Sequence, residues 1–115
     1  MTESLKLTVE KRDPVAVIYT EGYINNQGGE EIARVADELI EQGYETLLLN
    51  LAGTKIVNSI GISILIEIIE RMIKIDGHLA FCCLTPTIEK TFYIMGLAQY
   101  SGIYPDEASA LEKLA

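Results

Sequence analysis

Two short stretches constrain this chain more than anything else in it. They are residues 46–51, which hold Leu47-Leu48-Leu49, and residues 78–84. Both are continuous apolar runs, and a run without polar alternation suits a strand buried on both faces. Such a strand is central and has parallel neighbours. Parallel strands need crossover connections, and the segments around the runs read as helices. Ile32, Val35, Ala36, Leu39 and Ile40 recur at helical spacing, with Glu30 and Glu31 in the first turn and Gly43 as the C-terminal cap. Residues 22–29 (Gly-Tyr-Ile-Asn-Asn-Gln-Gly-Gly) read as a polar loop ahead of that helix. A second helix runs from Ile60 or Gly61 to Ile75 and stops at Asp76-Gly77. Thr85-Pro86 opens a third, with Thr as N-cap, Pro in the first turn, and Ile88, Phe92 and Met95 on its apolar side. Gly96 reads as its C-terminal cap.

The first twenty residues follow another rule. Leu5, Leu7 and Val9 alternate with Lys6, Thr8 and Glu10, the pattern of a half-buried strand. Residues 15–19 form a second, more apolar strand. The turn at 11–14 is short, so the two make an antiparallel hairpin. Ile103-Tyr104 reads as a short edge strand, and Asp106 caps a last small helix that ends near Leu114. The predicted fold is α/β: a mixed sheet of about four to five strands with an antiparallel N-terminal hairpin, right-handed crossovers and about three to four helices. At 115 residues the chain reads as one domain over 1–115.

Charge narrows the function classes. Seventeen Asp and Glu against nine Lys and Arg give a net charge of −8, the wrong sign for nucleic acid or an anionic membrane surface. No apolar run reaches the length of a membrane span. Met1-Thr2-Glu3-Ser4 carries no signal-peptide pattern, so the expected location is cytoplasmic. Cys82 and Cys83 are adjacent. Neighbours on a strand point to opposite faces, which makes a bond between them geometrically poor and favours reduced thiols. A single His, His78, offers no His-based metal site, and no phosphate-binding or dinucleotide-binding glycine motif is present. No cofactor or metal is expected.

The second helix carries the informative pattern. Ile62, Leu65, Ile66, Ile69, Met72 and Ile73 gather on one side and read as its core stripe. Ile60, Ile64 and Ile68 fall on nearly the opposite side, beside Glu67 and Arg71. Two readings fit: a helix sandwiched by a neighbouring element, or a protein-docking row that begins next to Ser59. Such a row also suits pairing of two copies. Ser59 lies at the loop-to-helix junction, as the N-cap itself or, with Asn58 as cap, as a free surface hydroxyl. A phosphate on a helix N-terminus is tolerated by the helix and changes the adjoining surface.

These residues resemble a known family. Leu47-Leu48-Leu49-Asn50-Leu51-Ala52-Gly53 followed by Val57-Asn58-Ser59-Ile60-Gly61-Ile62 is similar to the STAS domain of anti-sigma factor antagonists. The family pattern is a buried strand ending Asp-Leu-Ser, a short loop, then Asp-Ser-Ser-Gly-Leu opening a helix. The resemblance extends over nearly the whole chain. It implies that Ser59 is a phosphoacceptor. It also implies a partner that is both a serine kinase and an anti-sigma factor, docked on the loop and helix that begin at Ser59. Asn58, Ser59, Ile60, Gly61, Ile64, Glu67, Ile68 and Arg71 are the expected contact residues. Asn50, Asn58 and Ile60 depart from the family's Asp, Asp and Ser. Asn58 keeps the shape and capping ability of Asp without its charge. The alternatives are a non-phosphorylated scaffold and a domain that senses a small ligand or nucleotide. An enzyme is disfavoured: a serine nucleophile needs a base within reach, and His78, at the start of a strand, is not placed near Ser59. No catalytic residues are expected.

Overall fold

The computed structural model describes residues 5–115, so the reading of Met1-Thr2-Glu3-Ser4 lies outside the described residues. The elements run β1 (Lys6–Arg12), β2 (Val15–Glu21), α1 (Asn26–Glu41), β3 (Thr46–Gly53), α2 (Ser59–Lys74), β4 (His78–Cys82), α3 (Pro86–Ile94), a 3-10 turn (Leu97–Gln99), β5 (Gly102–Tyr104) and α4 (Glu107–Leu114). One five-stranded sheet has the order β1-β2-β3-β4-β5. Its first pair is the expected antiparallel hairpin, with Leu7 opposite Thr20 and Val9 opposite Ile18. The other three pairings are parallel, so the two apolar runs occupy central positions as β3 and β4.

Side-chain alternation splits the sheet into two cores. Ala16, Ile18, Leu47, Leu49, Leu79 and Phe81 face one side, where Ile32 and Ala36 of α1, Leu65 and Ile69 of α2 and Phe92 of α3 close over them. Phe81 and Phe92 meet edge to face at 5.0 Å. Val15, Val17, Leu48, Ala80 and Cys82 face the other side, which α4 covers with Ala110, Leu111 and Leu114. A run apolar at every position is the signature of a strand that must satisfy both cores.

Three local expectations are corrected. Helix α1 begins at Asn26, ahead of Gly28 and Gly29, because Asn25 is its cap: the Asn25 Oδ1 accepts the Gly28 N–H at 2.9 Å. The two glycines are contact surfaces. A Cβ on Gly29 would lie 2.7 Å from Cδ1 of Ile64, so the missing side chain lets α1 approach α2. The second correction concerns the isoleucines of α2. Ile68 is 1% exposed and Ile64 half-buried, since α1 packs along that side and Arg71 pairs with Asp37 of α1. Ile64, Ile68 and Arg71 therefore belong to the α1–α2 contact and do not form a free docking row. Glu67 on the same side stays exposed. The third concerns Ile73, placed on the core stripe by periodicity but 50% exposed. It lies in the last turn of α2, where it lines an open cavity of about 420 Å³ with Ile66, Ile69, Met95, Leu97 and Tyr100.

Candidate functional site

Backbone pairing builds the loop between β3 and α2. Gly22 donates its N–H to Gly53 at 3.0 Å, and Ile24 donates to Ile56 at 3.0 Å. Asn58 then donates to the Ile24 carbonyl at 3.1 Å. These bonds tie residues 54–58 to the strand-to-helix connection after β2. Below them the Thr20 and Thr54 hydroxyls share a 2.6 Å hydrogen bond, which satisfies two buried polar groups together.

Asn58 is the N-cap of α2. Its Oδ1 accepts the Gly61 N–H at 2.8 Å, and its carbonyl accepts from Ile62 at 2.9 Å. Gly61 is required here by close approach: a Cβ would lie 2.4 Å from the Ile24 carbonyl oxygen. With the cap filled by Asn58, Ser59 becomes the first helical residue. Its side chain is exposed, and among the described residues its hydroxyl has no hydrogen-bond partner. Between the two readings of Ser59 the structure selects the free hydroxyl.

The surroundings of Ser59 suit an added anion. The first turn of α2 holds no acidic residue. The helix N-terminus presents partial positive charge, and Lys55 is exposed in the preceding loop. Exposed apolar residues precede and follow Ser59 in the chain: Ile56 is 58% exposed and Ile60 is 53% exposed. Ile56 is an exposed apolar residue at the candidate site that sequence reasoning missed. Its signal is an isoleucine beside Val57 in the short loop 54–58, outside any helical period. A shallow cavity of about 210 Å³ runs from Ile56 and Val57 to Thr87 and Thr91 of α3.

His78 lies elsewhere. It pairs with Thr46 at the entry end of β3, whereas Ser59 follows the exit end of that strand. Its N–H donates to the Glu45 carbonyl at 2.8 Å. Ser59 therefore has no histidine base. No cluster of three metal-ligating side chains occurs among the described residues, and no helix there is long and apolar enough to cross a membrane.

Asn50, at the exit end of β3, has a structural task. Its Oδ1 accepts the Ala52 N–H at 3.0 Å and its Nδ2 donates to Glu107 Oε1 of α4 at 3.0 Å. Glu107 also reaches Arg12 at 3.8 Å, and Arg12 bonds Glu10, which accepts the Tyr19 hydroxyl at 2.8 Å. This polar chain fastens β1, β2 and β3 to α4. Burial, then the nearby Glu107 and Glu10 carboxylates, push the Tyr19 phenol up, so it remains a donor.

The element order, the hairpin and the Asn58-capped helix can now be set beside known proteins. The sequence model of the STAS domain matches residues 6–110. The chain belongs to the STAS domain family. Among curated relatives, the anti-sigma F factor antagonist of Paenibacillus polymyxa is 21% identical over 112 residues, covering 96% of each chain. Among solved structures, an anti-sigma factor antagonist from Mycobacterium paratuberculosis superposes with a TM-score of 0.85 at 21% identity, over 99% of this chain and 98% of the other. The Bacillus cell fate determinant SpoIIAA in its phosphorylated form superposes with a TM-score of 0.75 at 20% identity, over 96% of this STAS domain and all of that chain (100%). At these identities the superpositions establish the fold.

Proposed function

We propose that this STAS domain is an anti-sigma factor antagonist that binds a protein with serine kinase and anti-sigma activity, and that phosphorylation of Ser59 releases that partner. The observation that carries this reading is the free Ser59 hydroxyl at the first position of α2, bracketed by exposed Ile56 and Ile60. Asn58 and Gly61 hold the backbone, so the hydroxyl can change its chemistry without disturbing the cap. Ile56 and Ile60 form the apolar contact, Glu67 its polar rim and Thr87 and Thr91 its far wall. A phosphate adds about −1.5 to −2 charge. On α2 the helix end accommodates that charge, while an apolar partner surface is repelled by the cost of burying it. The domain acts by binding, as a single unit, in the cytoplasm where kinase and sigma factor meet.

Intact-mass measurement on protein isolated from its native cells, beside a Ser59→Ala version, tests the reading. One phosphate on the parent chain and none on the variant is the expected outcome. No phosphate in any growth phase overturns the switch. Binding to the purified kinase tests the contact separately: Ser59→Ala is expected to bind as the parent does, and Ser59→Asp to bind at least about tenfold more weakly, on the order of one desolvated charge.

A further inference from the structure

Adjacent residues of a strand send their side chains to opposite faces, yet here the two cysteine sulfurs meet. Strand β4 ends at Cys82, and Cys83 leaves it with φ of 63°, in the left-handed region that side chains rarely adopt. That turn carries the Cys83 side chain back to the face Cys82 already occupies, the one covered by α4. The Cys83 thiol donates to Cys82 Sγ at 3.6 Å. Cys82 is fully buried, beside Asn50 on β3 and Tyr104 on β5, whereas Cys83 is partly exposed. The partly exposed residue and the buried one thus meet through their sulfurs.

We propose that Cys82 and Cys83 form a two-electron oxidation site that closes to a disulfide between neighbours when hydrogen peroxide reaches Cys83. In the first step Cys83 Sγ attacks the peroxide. The O–O bond breaks, sulfur keeps one hydroxyl as a sulfenic acid, and the other leaves as water with the thiol proton. In the second step Cys82 Sγ displaces the sulfenic hydroxyl. The S–O bond breaks, the S–S bond forms, and the departing hydroxide takes the Cys82 proton as a second water. The two electrons lost by the dithiol reduce the peroxide. Burial holds the Cys82 thiol protonated, and Glu107 and Asp106 of α4 reinforce this. Cys83 is therefore the attacking sulfur and Cys82 the resolving one. Consecutive Cα atoms stand about 3.8 Å apart, short of the usual disulfide range. Strain of this kind marks a bond that thiols reopen readily, as a reversible modification requires.

The test uses the purified full chain, treated with hydrogen peroxide, then denatured and alkylated with a maleimide. The expected product has lost about 2 Da and both alkylatable thiols, stays monomeric, and recovers two thiols with dithiothreitol. In Cys82→Ser, Cys83 is expected to stop at a sulfenic acid that dimedone traps. In Cys83→Ser, Cys82 is expected to stay reduced. The proposal is overturned if the parent chain keeps two alkylatable thiols, if Cys83 gains oxygen while Cys82 remains a thiol, or if the bond joins two molecules. The parent-chain readout decides the matter even if a buried-site variant fails to fold.

Discussion

Helix α2 carries isoleucines at positions 60, 64 and 68 in one row, and the two ends of that row have different fates. Ile68 is sealed beneath α1, while Ile60, two turns earlier, stands beside Ser59 with half its surface in water. The spacing is the same at both ends. What differs is the neighbour: α1 reaches Ile64 through Gly29 in its first turn and reaches Arg71 through Asp37, whereas Ile60 stays 53% exposed. Periodicity reports that a face is apolar. Only the third dimension says whether the chain itself covers it.

The largest expected effect separates these two ends. Ile68→Ala removes buried methylenes from a packed contact and is expected to cost about 2–5 kcal/mol. Ile60→Ala is expected to stay within about 0.5 kcal/mol of the parent chain, since it touches little of the fold. Urea unfolding of the two variants checks the contrast. Similar losses at both positions would show that Ile60 is part of the fold, and would remove it from the contact surface. In kinase binding the order reverses: Ile60→Ala weakens binding, and Ile68→Ala retains it under conditions where the variant is folded.

The same contrast explains what could be read in the chain. The buried runs at β3 and β4, the hairpin, and the Thr85, Asp106 and Gly96 caps were legible because each follows from a local rule acting on a few residues. The two glycines after Asn25 were not. The role of Gly29 depends on Ile64, more than thirty positions away, and that of Gly28 on a close approach to the Tyr23 carbonyl, which no periodic pattern records. Ile73 failed for a related reason: the wheel places it on the core stripe, but α3 and the turn after it stop short of the last turn of α2. At the candidate site, Ser59 and its two capping options were visible. Choosing between them needed the Asn58 to Gly61 bond. The meeting of Cys82 and Cys83 was hidden by the assumption that the strand continues through both.

A second comparison sets the two asparagines against each other. Both stand where the resembling family has Asp, yet Asn58 caps a helix and Asn50 donates to a carboxylate. Asp also caps helices, so a charge is tolerable at 58. At 50 it would face Glu107 with no proton between them. Asn50→Asp is expected to cost about 1–3 kcal/mol at neutral pH. Repulsion raises the folded-state pKa of the introduced carboxyl above its unfolded value near 4. The variant's deficit is therefore smallest below about pH 4 and grows to its full size as pH rises through the folded-state pKa. Unfolding of the variant and the parent chain at pH 4 and pH 7 reads this directly. A deficit independent of pH would mean that lost packing, and not charge, is the cause.

The smallest effects bear most directly on the switch, because they compare Asn58 with the residue next to it. Asn58→Ala removes the acceptor of the Gly61 N–H and is expected to lower stability by about 1 kcal/mol. Ser59→Ala removes a hydroxyl without a partner among the described residues and is expected to change stability by less than about 0.5 kcal/mol. The difference is modest, yet the design depends on it. A phosphoacceptor that also capped its helix would lose that cap whenever it was modified, and the switch would loosen the surface it is meant to change. In the proposed switch, dividing the two tasks between adjacent residues would keep α2 formed in both states. Charge at Ser59 would then act on the partner and not on the fold. If Ser59→Ala proves as costly as Asn58→Ala, the hydroxyl is part of the cap. Phosphorylation would then work by fraying the first turn of α2.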